Sequence, residues 1–356
     1  MKTPSEFKVS RRKLKGLLQD AVKSAEIISL IYVSDKDPGI QRVKQGKGFV
    51  YLRDGKTIKD KNDLRRIKSL VIPPAWENVW ICSHPEGHLQ ATGLDLRKRK
   101  QYRYHTRWSE FRNQTKFFQL AEFGKNLSVI RKQLEKDLSK PGLPLEKVLA
   151  AVVTIMQQTN IRVGNSEYER LYGSFGLTTL KDKHVSINGN TVKFCFKGKK
   201  GVYHEIDLKS KRLANIVKQC RDIPGKELFQ YYDENGERKA IDSGMVNEYI
   251  KNISGNEFTT KDFRTWTGTV QAITVLKELG CCETETEAKK KIVEALDIVA
   301  KRLGNTRTVC RKYYVHPVIL DMYCNGQLEK YFQEPVTIDE KLSEEEGILM
   351  KILQAA

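Results

Sequence analysis

The chain is short of acidic residues. Over 356 residues it sets 44 Asp and Glu against 63 Lys and Arg, a formal charge of +19, and the cations are spread along most of its length. That imbalance is the electrostatic footprint of a protein with a polyanionic partner. Cysteine is scarce and has no pairing pattern: the seven (Cys82, Cys195, Cys220, Cys281, Cys282, Cys310, Cys324) are odd in number and none forms a Cys-x-x-Cys pair. A disulfide framework is not expected, and a reducing cytoplasm is. Cys82, His84 and His88 are the one metal-like grouping, but Pro85 and Gly87 break the helix that an i, i+4 histidine pair would need, so no metal is expected there. No apolar run approaches the roughly 18 residues of a membrane span, and Met1-Lys2-Thr3-Pro4-Ser5-Glu6 lacks a signal-peptide apolar core. Nor is there a basic amphipathic anchor with bulky aromatics opposite, which favours nucleic acid over an acidic membrane surface. Internal repeats and low-complexity stretches are missing too.

What is present suffices for two cores. A hydrophobic fraction of 39% can build them, and 356 residues are too many for one. The expected division is 1–109 and 110–356. From Ser10 onward Leu14, Leu17, Leu18, Ala21 and Val22 recur at helical spacing, as in a lead-in helix. After the turn Ser34 to Gly39, the runs GFVYLR (48–53), SLVIPP (69–74), VWICS (79–83) and HLQATG (88–93) are rich in β-branched and aromatic residues. Asp-Gly, Pro-Pro and Glu-Gly signals separate them, the pattern of a small antiparallel sheet. Asp35 and Asp37 lie in the Pro-Gly turn with no further acidic ligand, so magnesium is not expected there. Helical periodicity takes over from Trp108, interrupted at Pro141-Gly142-Leu143-Pro144. Hairpins near 184–207 are marked by Asn188-Gly189 and Lys197-Gly198-Lys199-Lys200-Gly201. Further helices are expected around 208–221, 245–252, 261–279 and 287–304, and Glu344-Glu345-Glu346 reads as a helix start after Ser343. The fold class is α+β: a small β-rich N-terminal domain followed by a larger, mostly helical one.

Two stretches carry chemistry. From Leu96 to Trp108 cations alternate with aromatics, so an extended segment would put Tyr102 and Tyr104 on one face among Lys and Arg. Such a face can press on a duplex while the cations neutralise phosphates. The second stretch, Gly304 to Pro317, sets Tyr313 and Tyr314 among Arg307, Arg311 and Lys312 before a proline-marked turn. A phenol, with an ordinary pKa of about 10, is a poor nucleophile at neutral pH. A phosphoryl-transfer tyrosine therefore needs donors and positive charge around its target phosphate. Taken alone, the segment reads first as one core and one surface aromatic on a short helix.

Six blocks in order are VIPPAW (71–76), HLQATGLDLRKRKQYRYH (88–105), IRVGNSEYERLYGSFGLTTLKDKH (161–184), FKGKKG (196–201), KDFRTWTGT (261–269) and LGNTRTVCRKYYVHP (303–317). With them the chain resembles the type IB DNA topoisomerases of the compact poxvirus and bacterial group, from about Ile72 to Tyr314. The resemblance implies five catalytic residues. Arg162 corresponds to the first catalytic arginine, Lys199 to the general-acid lysine with Lys197 and Lys200 beside it, and Arg264 to the second arginine. Asn305 takes the position held by histidine in poxvirus members and by asparagine in bacterial ones. Tyr314 is then the nucleophile, because the family places it nine residues further on, where Tyr313 is one residue early.

These residue types suit the chemistry so implied. Arginine forks match phosphate oxygens, an asparagine amide can donate to a nonbridging oxygen, and lysine can protonate the departing 5′ oxygen. The product would be a 3′-phosphotyrosyl bond that keeps the phosphodiester energy, so strand rotation and religation would need neither ATP nor metal. Lys100, Gln101, Tyr102, Tyr104, Tyr168 and Thr179 fall where the family meets DNA. The implied partner is double-stranded DNA, held by a monomer without cofactor or membrane whose domains close as a C-shaped clamp. A cytoplasmic, nucleoid-associated enzyme is expected, and Asn305 favours a bacterial member. A tyrosine site-specific recombinase would share the helical fold and the covalent chemistry. Such enzymes usually carry His-x-x-Arg where this chain has Lys261 and Arg264 at that spacing, and they lack the first two blocks. A noncatalytic DNA-binding protein of the same fold is the remaining alternative, weakened by the presence of all five residue types.

Overall fold

The computed structural model describes residues 20–46, 48–96, 98–334 and 340–355; Leu14, Leu17 and Leu18 of the expected lead-in helix lie outside them. The chain divides into two compact units between Phe118 and Gln119. The division falls later than residue 110 because it lies inside one continuous helix, Thr106–Leu138.

In the first unit, helix α1 (Ala21–Ile27) starts where the Asp20 carboxylate accepts the Val22 and Lys23 N–H groups, an N-cap for otherwise orphaned donors. Its Ala25, with Ile28 and Leu30 just beyond it, is buried against Trp108 and Phe111. Strands β1 (Gly39–Gln45), β2 (Gly48–Arg53), β3 (Lys56–Thr57), β4 (Glu77–Cys82), β5 (Leu89–Leu94) and β6 (Lys100–Tyr104) make one sheet in the order β3-β2-β1-β4-β5-β6. Every pairing in it is antiparallel. Ile40, Val79, Ile81 and Ala91 form its buried face, covered by Ile67 of helix α2 (Lys61–Ser69).

The run at 69–74 is not a strand. Ser69 ends α2, Val71 takes a left-handed backbone (φ 48°), and Pro73 and Pro74 cannot donate to a ladder. The carbonyls of Ile72, Pro73 and Trp76 instead accept from the Arg42 guanidinium. Strand β6 is an edge, paired on one side through Leu94–Lys100, Gly93–Gln101 and Thr92–Tyr102.

The second unit is helical around one core. After helix α3 (Thr106–Leu138), α4 (Leu145–Thr159) buries Val148, Leu149, Ala150, Ala151, Val152, Val153 and Ile155. A helix apolar on nearly every side has to lie inside, so α4 is central. Helix α5 (Ser166–Tyr172) leads to a three-stranded antiparallel sheet of β7 (Val185–Asn188), β8 (Thr191–Lys197) and β9 (Tyr203–Lys209). Then come α6 (Lys211–Asp222), a β10–β11 ribbon (Gln230–Tyr232, Arg238–Ala240), α7 (Ser243–Ser254), α8 (Thr260–Leu279) and α9 (Glu285–Leu303). Short helices α10 (Arg307–Tyr313), α11 (Pro317–Cys324) and α12 (Glu329–Gln333) precede α13 (Glu344–Ala355). Helix α13 starts just after Ser343, as the sequence suggests, but Glu346 turns inward. Its carboxylate accepts two bonds from Arg131 at 2.7 and 2.8 Å and one from the Trp266 indole at 2.8 Å. That buried, fully satisfied group ties α13 to α3 and α8.

Candidate active site

Two helix ends converge on one arginine. Helix α8 begins with a capping box: the Thr259 N–H donates to the Asp262 carboxylate at 2.8 Å, and the Lys261 N–H donates to the Thr259 hydroxyl at 3.3 Å. This start places Arg264 one turn in, where its guanidinium donates to the Asn160 carbonyl and to the Leu303 carbonyl, both at 2.7 Å. Those carbonyls stand at the C-terminal ends of α4 and α9, where backbone acceptors have no helical partner and the dipoles favour a cation. Arg264 is buried, with its Nε facing no acceptor among the described residues.

Arg162 lies just past the C-cap of α4, Asn160, whose left-handed φ of 58° turns the chain out of the helix. Its guanidinium donates to the Gly304 carbonyl at 3.1 Å and to the Asn305 side-chain oxygen at 2.9 Å. Burial, and the neighbouring Arg264 charge, push Arg162 down to about 10; it is still a cation at neutral pH. Among the described residues no carboxylate pairs with Arg162 or Arg264, although buried charges are ordinarily paired.

Tyr314 ends α10 and lies half-buried beneath this pair, with the Arg264 guanidinium 5.3 Å from its ring centre. Its backbone is clasped to α8: the Thr269 hydroxyl accepts the His316 N–H at 3.1 Å, and its single proton is shared between the Thr265 carbonyl at 2.8 Å and the Tyr314 carbonyl at 3.2 Å. The helix can come this close because residue 268 is glycine; a Cβ there would stand 2.6 Å from the Tyr314 carbonyl oxygen. Tyr313 points elsewhere, 40% exposed, with the Lys312 ammonium 5.4 Å from its ring centre. The fold therefore separates the two phenols, one beside the arginines and one at the surface. Cys310 is buried in the same helix and is no rival nucleophile, since burial pushes its thiol up to about 11 despite the arginines nearby.

Arg162, Arg264, Asn305 and Tyr314 are thus brought together from positions 152 residues apart in sequence at most. Lys199 is on the exposed tip between β8 and β9, in a short 3-10 turn with Lys200 at φ 62°. The sequence reading passed over His204 and the Gly268–Thr269 clasp. A single histidine and a helical Gly-Thr step carry no pattern that would have marked them.

The residues expected at DNA are mixed. Tyr102 and Tyr104 are 47% and 45% exposed, with rings stacked at 5.9 Å on one face of the β6 edge. Lys100 pairs with Asp35, and the Gln101 amide donates to Asp95 at 3.0 Å, so both are held by carboxylates of their own unit. Tyr168 is exposed on α5, with its ring 5.6 Å from that of Tyr172. Thr179 does not fit the expected contact. It is 4% exposed, and its hydroxyl is consumed locally, donating to the Gly176 carbonyl at 3.1 Å and accepting the Gly176 N–H at 3.0 Å. His88 is a core histidine: its ring stacks on Tyr32 at 4.2 Å and its Nδ1 accepts the Val33 N–H.

Comparison with known proteins places the chain in a family. Residues 104–339 match the family described as eukaryotic DNA topoisomerase I, catalytic core. Residues 48–95 match the bacterial DNA topoisomerase IB N-terminal domain. The chain is 32% identical to a DNA topoisomerase 1B of Acanthamoeba polyphaga mimivirus over 296 residues, 81% of this chain and 88% of that one. It is 26% identical to the DNA topoisomerase 1B of Vaccinia virus over 328 residues, covering 83% and 95% of the two chains. A DNA topoisomerase I of Monkeypox virus is 26% identical over the same span. By the catalytic-core match and the mimivirus relative together, this chain belongs to the type IB DNA topoisomerase family.

Proposed function

We propose that the enzyme relaxes supercoiled duplex DNA by cutting one strand through Tyr314, allowing rotation, and resealing it. The observation that carries this is the pair of inward guanidiniums, Arg162 and Arg264, held beside Tyr314 with no carboxylate between them among the described residues. Two cations in a partly desolvated site repel, and a phosphodiester set between them relieves that repulsion while receiving donors on its nonbridging oxygens. The Asn305 amide stands beside Arg162 and adds a neutral donor.

The Tyr314 oxygen then attacks phosphorus in line with the 5′ oxygen. The phosphorus–tyrosyl bond forms as the phosphorus–5′ oxygen bond breaks, and the phenolic proton passes to solvent. Lys199 donates a proton to the leaving 5′ oxygen, a contribution of about 10²–10⁴-fold. The reverse attack by the 5′ hydroxyl reseals the strand at no cost in ATP. The charge that a divalent metal supplies in other phosphoryl transfers comes here from the arginines and the lysine.

The test uses supercoiled plasmid with no special recognition site, in EDTA and without ATP. Relaxed topoisomers, and a protein–DNA adduct at the 3′ end after denaturing quench, are expected from the wild type and from Tyr313→Phe but not from Tyr314→Phe. An adduct that survives in Tyr314→Phe and vanishes in Tyr313→Phe would move the nucleophile by one residue, and a requirement for magnesium or ATP would overturn the mechanism. The bacterial N-terminal match and Asn305 support a bacterial source, with the enzyme acting as a monomer on the nucleoid in the cytoplasm.

A further inference from the structure

The lysine tip and the arginine cluster are separate in sequence and meet through one side chain that the catalytic set does not contain. His204 stands on β9 directly across from Phe196, and its ring lies over the Phe196 ring at 5.1 Å between centres, with planes 23° apart. Two glycines flank the imidazole. A Cβ on Gly198, the residue before Lys199, would lie 2.6 Å from both Cδ2 and Nε2 of His204. A Cβ on Gly304, the residue before Asn305, would lie 2.9 Å from Cε1 and 3.7 Å from the Arg162 guanidinium. The ring therefore fills the space between the backbone leading into the lysine tip and the backbone leading into the phosphate donor. Burial lowers its pKa, and Arg162 and Arg264 act in the same direction, as befits a neutral wedge beside two cations.

We propose that His204 is a positioning residue that docks the Lys199 tip onto the Gly304–Asn305 turn and so fixes the general acid relative to the phosphate site. The backbone of the tip is bonded at its base, the Gly201 N–H donating to the Gly198 carbonyl at 3.0 Å and the Phe175 N–H to the Lys197 carbonyl at 2.8 Å, and His204 packs against it at Gly198. The tip is a five-residue Lys-Gly-Lys-Lys-Gly turn closed by the Gly198 N–H donating to the Val202 carbonyl at 2.7 Å, and Lys199 itself is exposed. A flat ring braced on Phe196 gives that turn a fixed face, and a displacement of about 1 Å at a reacting group costs on the order of 10²-fold in rate.

The inference rests on the proposed cleavage chemistry and on Lys199 as the acid, and its test separates the three. Single-turnover cleavage is measured on an ordinary duplex and on one whose scissile 5′ oxygen is replaced by sulfur, a leaving group that departs as the thiolate without protonation. His204→Ala is expected to slow the ordinary substrate by about 10- to 100-fold and to cut the sulfur substrate within about threefold of the wild type. That second rate also shows that the variant is folded. Gly198→Ala should reproduce the defect by displacing the ring, and should add nothing in the His204→Ala background. Equal slowing on both substrates, no slowing on either, or additive losses in the double variant would overturn the positioning role. Failure of Lys199→Ala to recover on the sulfur substrate would instead remove Lys199 as the acid. Absence of an adduct from the wild type would remove the cleavage chemistry itself.

Discussion

Replacing Gly268 by alanine tests how closely the nucleophile is held. The added methyl would lie 2.6 Å from the Tyr314 carbonyl oxygen, 3.1 Å from the Tyr314 Cβ and 3.2 Å from Cδ1 of Leu303. Carbon–oxygen contacts ordinarily begin near 3.3 Å, so Tyr314 or α8 must retreat by about 0.7 Å. Two residues on, the His316 N–H is bonded to the Thr269 hydroxyl, which leaves the clasp little room to give. For stability two effects nearly cancel: alanine gains about 0.8–1 kcal/mol over glycine within a helix, and overpacking costs about 1–3 kcal/mol. For the reaction nothing cancels, since a misplacement approaching 1 Å costs toward 10²-fold. Single-turnover adduct formation should therefore fall by roughly 10- to 100-fold, with DNA affinity unchanged and the melting temperature within a few degrees. Gly124→Ala supplies the contrast. Its Cβ would lie 2.3 Å from the Met350 sulfur and 2.5 Å from the Trp266 ring, so it should lower the melting temperature and leave the cleavage rate nearly intact. Wild-type cleavage by Gly268→Ala, or a rate loss matched by an equal loss of DNA binding, would refute the close-packed nucleophile.

Three further outcomes follow from the same contacts. His316 is a neutral N-cap whose Nδ1 accepts the Val318 N–H at 3.1 Å, and burial pushes its pKa down to about 4. The unfolded chain takes up that proton first, so the stability it contributes is complete above pH about 6.5 and is lost as the pH falls toward 4, by at most about 3 kcal/mol. His316→Asn should keep the cap and flatten that part of the pH–stability curve measured by urea unfolding. Glu346→Ala strands the Arg131 charge and the Trp266 N–H, so a loss of about 3–5 kcal/mol, roughly 10 °C in melting temperature, is expected by calorimetry. Tyr102→Ala with Tyr104→Ala should weaken duplex binding without changing the slope of log affinity against log salt, whereas replacing a phosphate-contacting lysine lowers that slope by about one.

Much was decided by the sequence alone, because the determinants are local or are motifs of fixed spacing. The charge excess, the helix start after Ser343, the glycine stop at Gly304 and the six ordered blocks are all properties of neighbouring residues, and they sufficed for the α+β class and the family. Local signals failed where tertiary partners overrode them. The apolar run at 69–74 carries strand-forming residues, yet its prolines and Arg42 make it a loop. Thr179, expected at DNA only through the family resemblance, closes its own turn with its hydroxyl. Which of two adjacent tyrosines faces the arginines, and which histidine lies between the lysine tip and Asn305, depends on α8 meeting α10 and on β9 meeting the end of α9. Those are contacts between segments tens of residues apart, governed by packing against glycines, and no periodicity along the chain encodes them.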